Sequence, residues 1–375
     1  MRPTTVIVTV DALRADAFED PSLFPATNAA VARCVHFTTA RSNAPFTWPS
    51  LTSMHMGVYP SHIRTPRERS AIAEADFARH VMSRPPTIAS ALGFEGGYNT
   101  GVVFPPFHAT DFTFLTGYAV VKDVPFTGDA SNPPARTMLD ATRKLLASAP
   151  ADKPAHVRVH LMDMHAPYVG GSTRAAYERS ARALDGPLAE FLAEQPEDRI
   201  VVLSADHGEA FGEHGFDQHG WSLYEEELRV PLVLCVPRSL VGTDTARTVD
   251  VPVSLVDLAP TILDLTGVDV PYHRHGETLV PLFTKGAPRR IPWFYAEDVE
   301  KHRRAFVHGC KKLILEPDGY ELLFDLCVDP HETRDLSESD PAAHGAMRRE
   351  LDEVVDLDLD AFRSWRVGPK SLMDR

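Results

Sequence analysis

IVVLSADHG, Ile200 to Gly208, is the stretch on which the reading of this chain turns. Its first six residues carry no charge, and five of them are apolar, so both alternating faces of an extended segment are greasy. A strand buried on both faces is what a parallel sheet needs. The run then breaks on Asp206 and His207, at the carboxyl end, where open α/β sheets hold their ligands. The same grammar recurs elsewhere. TVIVTV (Thr5 to Val10) ends on Asp11, HVRVHLM (His156 to Met162) ends on Asp163-Met164-His165, and PLVLCV (Pro231 to Val236) reads as a fourth buried parallel strand.

Helix-length segments separate these runs: TIASALGFEGG, ARTMLDATRKLLASA, the stretch from Arg174 to Glu194, and SLVDLAPTILDLTG, which stops at Gly267. The alternation predicts a doubly wound, mostly parallel α/β sheet with helices on both faces. After about Pro281 the texture changes to short strand-like pieces (RAFVHG, KKLILEP, YELLFDL) and an acidic helix around Met347 to Val355. A catalytic domain over 1–285 and a small antiparallel α+β subdomain over 286–375 are therefore expected. The segments Pro66 to Pro85 and Pro105 to Pro134 read as loops without a specificity signature.

The bulk numbers exclude several classes. With 43% hydrophobic and 24% charged residues the chain is ordinary globular material, and no apolar run approaches a bilayer span. A formal charge of −14 argues against nucleic acid as a partner, because backbone binding needs a basic face. No leader-like segment stands at the start, and Cys34, Cys235, Cys310 and Cys327 lie far apart without a CxxC pair. The expectation is reduced thiols in a cytoplasmic enzyme, with no membrane partner. The acidic runs Asp16 to Asp20 and Asp352 to Asp360 read as solvated surface.

Three strand ends thus deliver metal-type ligands, and NAPFTWPSLTSMHMG (Asn43 to Gly57) supplies a fourth element. Pro49 and Ser50 suit the first turn of a helix running to about Met56 and stopping at Gly57. Thr47 then sits at its positive end, where free N–H groups and the dipole favour an alkoxide or a bound oxyanion.

These segments carry a resemblance. VTVDALRAD, TWPSLTSMHMGVYPSH, DMHAPY, SADHGEAFGEHG and GWSLYEEELRVPLV resemble, in order, the motifs of the sulfatase-like hydrolases of the alkaline phosphatase superfamily. GETLVPL, KKLIL and ELLFDLCVDPHETRDL resemble that family's closing motifs, so the likeness spans nearly the whole chain. It implies an alkaline phosphatase-like fold, a small anionic ester as substrate, and a divalent ion held by Asp11, Thr47, Asp206 and His207. Oxygen donors with one imidazole suit Mn²⁺, Zn²⁺, Mg²⁺ or Ca²⁺. It further implies Thr47 as nucleophile, His165 as a contact to the substrate oxyanion or leaving group, and His219 as the residue that protonates or holds the leaving oxygen. His214 is a further substrate-binding candidate. Asp163, His165 and His219 could serve a second ion, but the Asp-x-His spacing is that of one-metal relatives.

Two residues depart from the sulfatase pattern. Sulfatases proper carry Cys or Ser, oxidised to formylglycine, with Arg four residues on; here the positions are Thr47 and Leu51. A secondary alcohol does not yield that aldehyde, whereas a threonyl phosphate is a competent intermediate. Ala12 also stands where many sulfatases have a second Asp. The expectation is a hydrolase of phosphate monoesters, diesters or phosphonate esters acting through a threonyl intermediate, without formylglycine. A sulfatase acting without formylglycine and a phosphotransferase to an alcohol acceptor are the alternatives.

Overall fold

The computed structural model describes residues 2–63, 85–105, 115–124, 133–242, 245–272 and 274–366, with side chains as far as residue 356. The loop expected at Pro66–Pro85 falls almost wholly outside these residues, and the stretch Pro105–Pro134, expected as loop, carries a strand, Val120–Asp123, in its described part.

The main sheet has eight strands: β1 (Thr5–Val10), β2 (Val35–Phe37), β3 (Asn99–Phe104), β4 (Val120–Asp123), β5 (Ala155–Leu161), β6 (Ile200–Ala205), β7 (Leu232–Cys235) and β8 (Thr248–Val249). Their spatial order is β8-β2-β7-β6-β1-β5-β3-β4. The central three, β6, β1 and β5, are parallel and in step, with Val10 beside both Leu161 and Ala205. Each is buried along its full length, β1 and β6 as their uncharged runs require and β5 even though it carries His156, Arg158 and His160. One expectation needs correction. PLVLCV is not a parallel strand, because β7 runs antiparallel to both β6 and β2. An apolar run reports burial on two faces and is silent about direction.

Helix α1 (Thr47–Met56) ends at Gly57, whose φ of 72° is the left-handed conformation that a helix stop calls for. The expected helices appear as α2 (Ile88–Phe94), α3 (Ala135–Ser148), α4 (Arg174–Ala193) and α5 (Leu258–Thr266). Among the described residues no helix is long and apolar enough to cross a membrane.

The C-terminal sheet is a meander of β9 (Trp293–Asp298), β10 (Arg303–His308), β11 (Lys311–Leu315) and β12 (Glu321–Asp325). Alternation gives it two apolar faces. Phe294, Ala296, Ala305, Val307, Ile314 and Phe324 cluster with Leu223, Tyr224 and Leu228 of the catalytic segment. Tyr295, Phe306, Leu313 and Leu323 meet Tyr59, Val256 and the last helix, α6 (Pro341–Arg366), through Met347 and Leu351. The small sheet thus backs the segment that follows His219.

The expectation of reduced cysteines is overturned. Cys34 is bonded to Cys235, with Cα atoms 4.4 Å apart, and Cys310 to Cys327 at 5.3 Å. Sheet register makes both pairs. Leu234 faces Val35 in the antiparallel β7–β2 ladder, so Cys235 and Cys34 form the next rung. Lys311 faces Asp325, and the Leu326 N–H bonds the Cys310 carbonyl at 2.8 Å, which brings Cys327 alongside. A separation of 201 residues hides the first pair from any reading of spacing.

A buried ionic network ties the C-terminal sheet to the segment that follows His219. The fully buried Lys312 reaches Glu225 at 2.9 Å and Glu332 at 2.8 Å, while Arg41 pairs with Glu225 at 2.8 Å. Removing one member of such a set leaves an uncompensated charge in the interior. Lys312→Met is expected to lower the unfolding free energy by about 3–5 kcal/mol, read as a shifted urea midpoint; an unchanged midpoint would refute that account.

Candidate active site

Because β6, β1 and β5 end level with one another, the residues just beyond them share one pocket. Asp11, Asp206 and His207 are each 0% exposed there. Gly208 lets the chain turn away beneath them: a Cβ at that position would lie 2.0 Å from the Glu226 carbonyl. Its N–H and that of Glu209 instead bond the Glu227 and Glu226 carbonyls at 2.8 and 2.9 Å.

Helix α1 presents its first residue to this pocket. The Thr47 hydroxyl lies 3.2 Å from Asp11 Oδ2 and 3.2 Å from His207 Nε2. Helix entry is held by Ser50, whose hydroxyl donates to the Asp206 carbonyl at 2.5 Å and pairs with Ser42 at 2.8 Å. Leu51, at the place where sulfatases carry an Arg, is fully buried in the main core, so no guanidinium reaches the pocket from there.

The two carboxylates are each half-satisfied. Asp206 Oδ1 accepts the N–H groups of His207 and Ala12 at 3.0 and 3.3 Å. Asp11 Oδ2 is engaged by Thr47 and by His160 Nε2 at 3.0 Å. The other oxygens, Asp11 Oδ1 and Asp206 Oδ2, are buried without a hydrogen-bond partner among the described residues. His207 Nε2 lies 3.8 Å from the first and 3.5 Å from the second. Its Nδ1 bonds the Gly208 carbonyl at 2.8 Å, so Nδ1 carries the proton and Nε2 presents a lone pair. Two bare carboxylate oxygens, one imidazole nitrogen and a hydroxyl are the donor set of a divalent ion, and the four residues fit it.

His160 is the residue that sequence reading missed. Its ligand atom lies within 4.8 Å of those of Asp11 and Asp206. The signal was present: in AHVRVHL the polar residues His156, Arg158 and His160 recur at period two, and so share one face of a buried strand.

Electrostatics separate the groups. Burial alone would raise the Asp11 carboxyl, but the His160 hydrogen bond and the charges of His165 and His207 hold it well below the usual range. Burial and then the charge of Asp11 push Asp206 up. Burial and neighbouring His219 lower His207 to about 4.

His219 stands against the pocket, its ring 4.4 Å from that of His207 and 5.2 Å from that of His165. Its Nδ1 bonds Glu209 Oε1 at 2.8 Å, and the Tyr168 hydroxyl donates to the other oxygen of Glu209. Glu209 and Tyr168 were not assigned from sequence, although both fall inside the quoted motifs. Burial works against protonation of His219, yet the Glu209 hydrogen bond and charge prevail and raise it to about 9. His165 Nδ1 faces the Ala166 carbonyl at 2.6 Å.

Two other candidates are used elsewhere. His214 stacks on Tyr224 with centroids 3.7 Å apart, bonding Glu226 at 2.8 Å and the Glu332 carbonyl at 3.1 Å. Both ring nitrogens are thereby committed to the seam with the C-terminal sheet. Asp163 accepts the Ala135 N–H at 3.0 Å, at the start of α3, and burial raises it to about 6. It caps a helix instead of joining His165 and His219.

Comparison with known proteins fits this geometry. Residues 3–268 match the family model for sulfatases. The chain belongs to the sulfatase family. Residues 212–356 of this sulfatase-family chain also match the model for the C-terminal region of N-sulphoglucosamine sulphohydrolase. Arylsulfatase K of Xenopus laevis is 28% identical over 203 residues, which covers 49% of this chain and 37% of that protein. Human arylsulfatase K is 29% identical over 179 residues, covering 42% of this chain and 31% of the human protein. The matched stretch thus spans about a third of the length of these relatives. In fold, a 2-O GAG sulfatase superposes with a TM-score of 0.74 at 18% identity, over 97% of this chain and 94% of that one. The phosphonate monoester hydrolase of Agrobacterium radiobacter gives 0.73 at 16%, over 95% and 96%.

The His219–Glu209 pair makes a pH prediction. A histidine raised from 6.5 to about 9 adds stability that is fully present below pH 6.5 and is lost as pH rises through about 9. In the ion-free protein, NMR titration of the His219 ring is expected to show a midpoint near 9. Glu209→Gln should move it down toward the ordinary histidine range, and a midpoint indifferent to Glu209 would remove the pairing as its cause.

Proposed function

We propose that this sulfatase-family protein is a divalent-metal-dependent hydrolase of phosphorus esters, with Thr47 as the covalent nucleophile. The observation that carries the reading is the Thr47 hydroxyl, 3.2 Å from both Asp11 and His207 at the first position of α1. The side chain is a secondary alcohol where relatives of the resembled pattern carry the precursor of an aldehyde.

A bound ion held by Asp11, Thr47, Asp206 and His207 would supply Lewis-acid stabilisation of developing negative charge and favour the Thr47 alkoxide. The chain's own groups do the rest. Thr47 Oγ1 attacks phosphorus in line, forming the Oγ1–P bond as the bond to the leaving oxygen breaks. His219, protonated at neutral pH through Glu209, gives the proton on Nε2 to that leaving oxygen. Water then attacks the threonyl phosphate, passing a proton to the now neutral His219, and phosphate and free Thr47 result. His165, beside His219, orients the substrate oxyanion. Asp163 Oδ1 is taken by the Ala135 N–H at the start of α3, which supports a single ion.

A second reading has its own support: the family membership and the arylsulfatase K relatives favour a sulfuric ester as substrate. Hydrolysis of a threonyl sulfate would then have to proceed without the elimination available to an aldehyde hydrate. The expectation of a cytoplasmic protein rested in part on reduced thiols, and two disulfides favour an oxidising compartment instead.

Nitrophenyl phosphate, bis-nitrophenyl phosphate, nitrophenyl phenylphosphonate and nitrophenyl sulfate, each with added Mn²⁺, separate the readings. Phosphorus esters are expected to turn over faster than sulfate, and added alcohol should leave the product as inorganic phosphate or free phosphonate. Thr47→Ala should cut kcat/KM by at least about a thousandfold. Turnover of the sulfate alone, or an unaffected Thr47→Ala variant, would defeat the proposal.

A further inference from the structure

Behind the strand ends lies a row of buried polar side chains. On β5, His156, Arg158 and His160 point to one buried face, and the register with β1 sets Thr5 beside His156 and Thr9 beside His160. Three histidines of this region are fully buried: His55 of α1, His156 and His160. His156 bonds Thr5 at 2.6 Å and Tyr118 at 3.3 Å, and neither nitrogen of His55 has a hydrogen-bond partner. Of the three, His160 is the one with a hydrogen bond to a pocket carboxylate, at 3.0 Å from Asp11 Oδ2.

We propose that His160 is a positioning residue of the metal centre, whose imidazole selects the Asp11 oxygen that faces the ion. This rests on the reading of Asp11, Thr47, Asp206 and His207 as the ligand set. The ring is held at three points. Thr9 Oγ1 lies 2.9 Å from Nδ1, Asp11 Oδ2 lies 3.0 Å from Nε2, and Phe104 stacks on its face at 5.1 Å and 17°. An ionised carboxylate only accepts, so Nε2 carries the hydrogen of that bond, while Thr9 Oγ1 lies between Nδ1 and the Val159 carbonyl, at 2.9 and 3.2 Å. Oδ2 is thereby anchored while Oδ1 stays bare, 3.8 Å from His207 Nε2. Without the anchor the carboxylate can rotate about its last bond, and neither oxygen is preset for the ion. Partners that orient a ligand in this way are worth roughly 10–100-fold in metal affinity.

The test is calorimetric titration of Mn²⁺ into the ion-free protein, with the thermal midpoint before metal addition as the check on folding. Asp11→Asn serves as the ligand control. His160→Phe keeps the aromatic stack and loses the N–H, and is expected to bind Mn²⁺ 10–100-fold more weakly. His160→Gln restores a donor at similar reach and should come back to within about threefold of wild type, the donor being what positions a ligand. Thr9→Val, nearly isosteric, removes the group that fixes the ring and should weaken binding by about three- to tenfold, keeping the test decisive if the Phe variant does not fold. If wild type binds Mn²⁺ and His160→Phe or Thr9→Val binds as tightly, the positioning role is wrong while the ligand set stands. If His160→Gln is as weak as His160→Phe, imidazole ligation replaces positioning. If wild type itself does not bind, or Asp11→Asn binds equally well, the ligand set falls and this inference with it.

Discussion

Asp11 and Asp206 lie side by side in the dry interior, each with one oxygen satisfied and one bare. Taking two carboxylates out of water costs several kcal/mol each, and like charges this close oppose one another. The opposed shifts of the pair, Asp11 down and Asp206 up, are the mark of that conflict. A divalent cation bound between them would resolve it. Much of the surrounding structure reads as provision for the pair: three parallel strands ending level, backbone N–H groups on Asp206, and a helix N-terminus aimed at the same point.

The positive groups are sorted by what they face. His207 has its proton directed away to a carbonyl and is lowered by burial, so it arrives as a lone-pair donor. His219 leans on Glu209 and stays protonated. Two imidazoles whose ring centroids are 4.4 Å apart thus hold opposite protonation preferences, His207 lowered by burial and by His219, His219 raised by the hydrogen bond and charge of Glu209. On the proposed mechanism that division separates a ligand from an acid without any difference in residue type.

The C-terminal sheet contributes by holding the catalytic loop from behind. Leu223, Tyr224 and Leu228 pack on it, and Lys312 anchors Glu225 within the same short segment. Glu227, two residues on, accepts the N–H of Gly220 at 2.6 Å and the Ser222 hydroxyl at 2.6 Å, which fixes the turn directly after His219. His214 belongs to this seam, which is why a histidine inside a recognisable motif does not reach the pocket.

The chain's pattern alone determined the α/β layering, the start and stop of α1, and the placing of Asp11, Asp206 and His207 at strand ends, because those depend on local periodicity and on turn chemistry at residues such as Pro49 and Gly57. Thr47 was legible for the same reason: a helix start is a local event. The direction of β7, the two disulfides, the diversion of Asp163 and His214, and the contact of His160 with Asp11 were decided only in three dimensions. Each depends on which strand lies beside which and in what register, and pairings between residues 149 or 201 positions apart leave no mark on spacing.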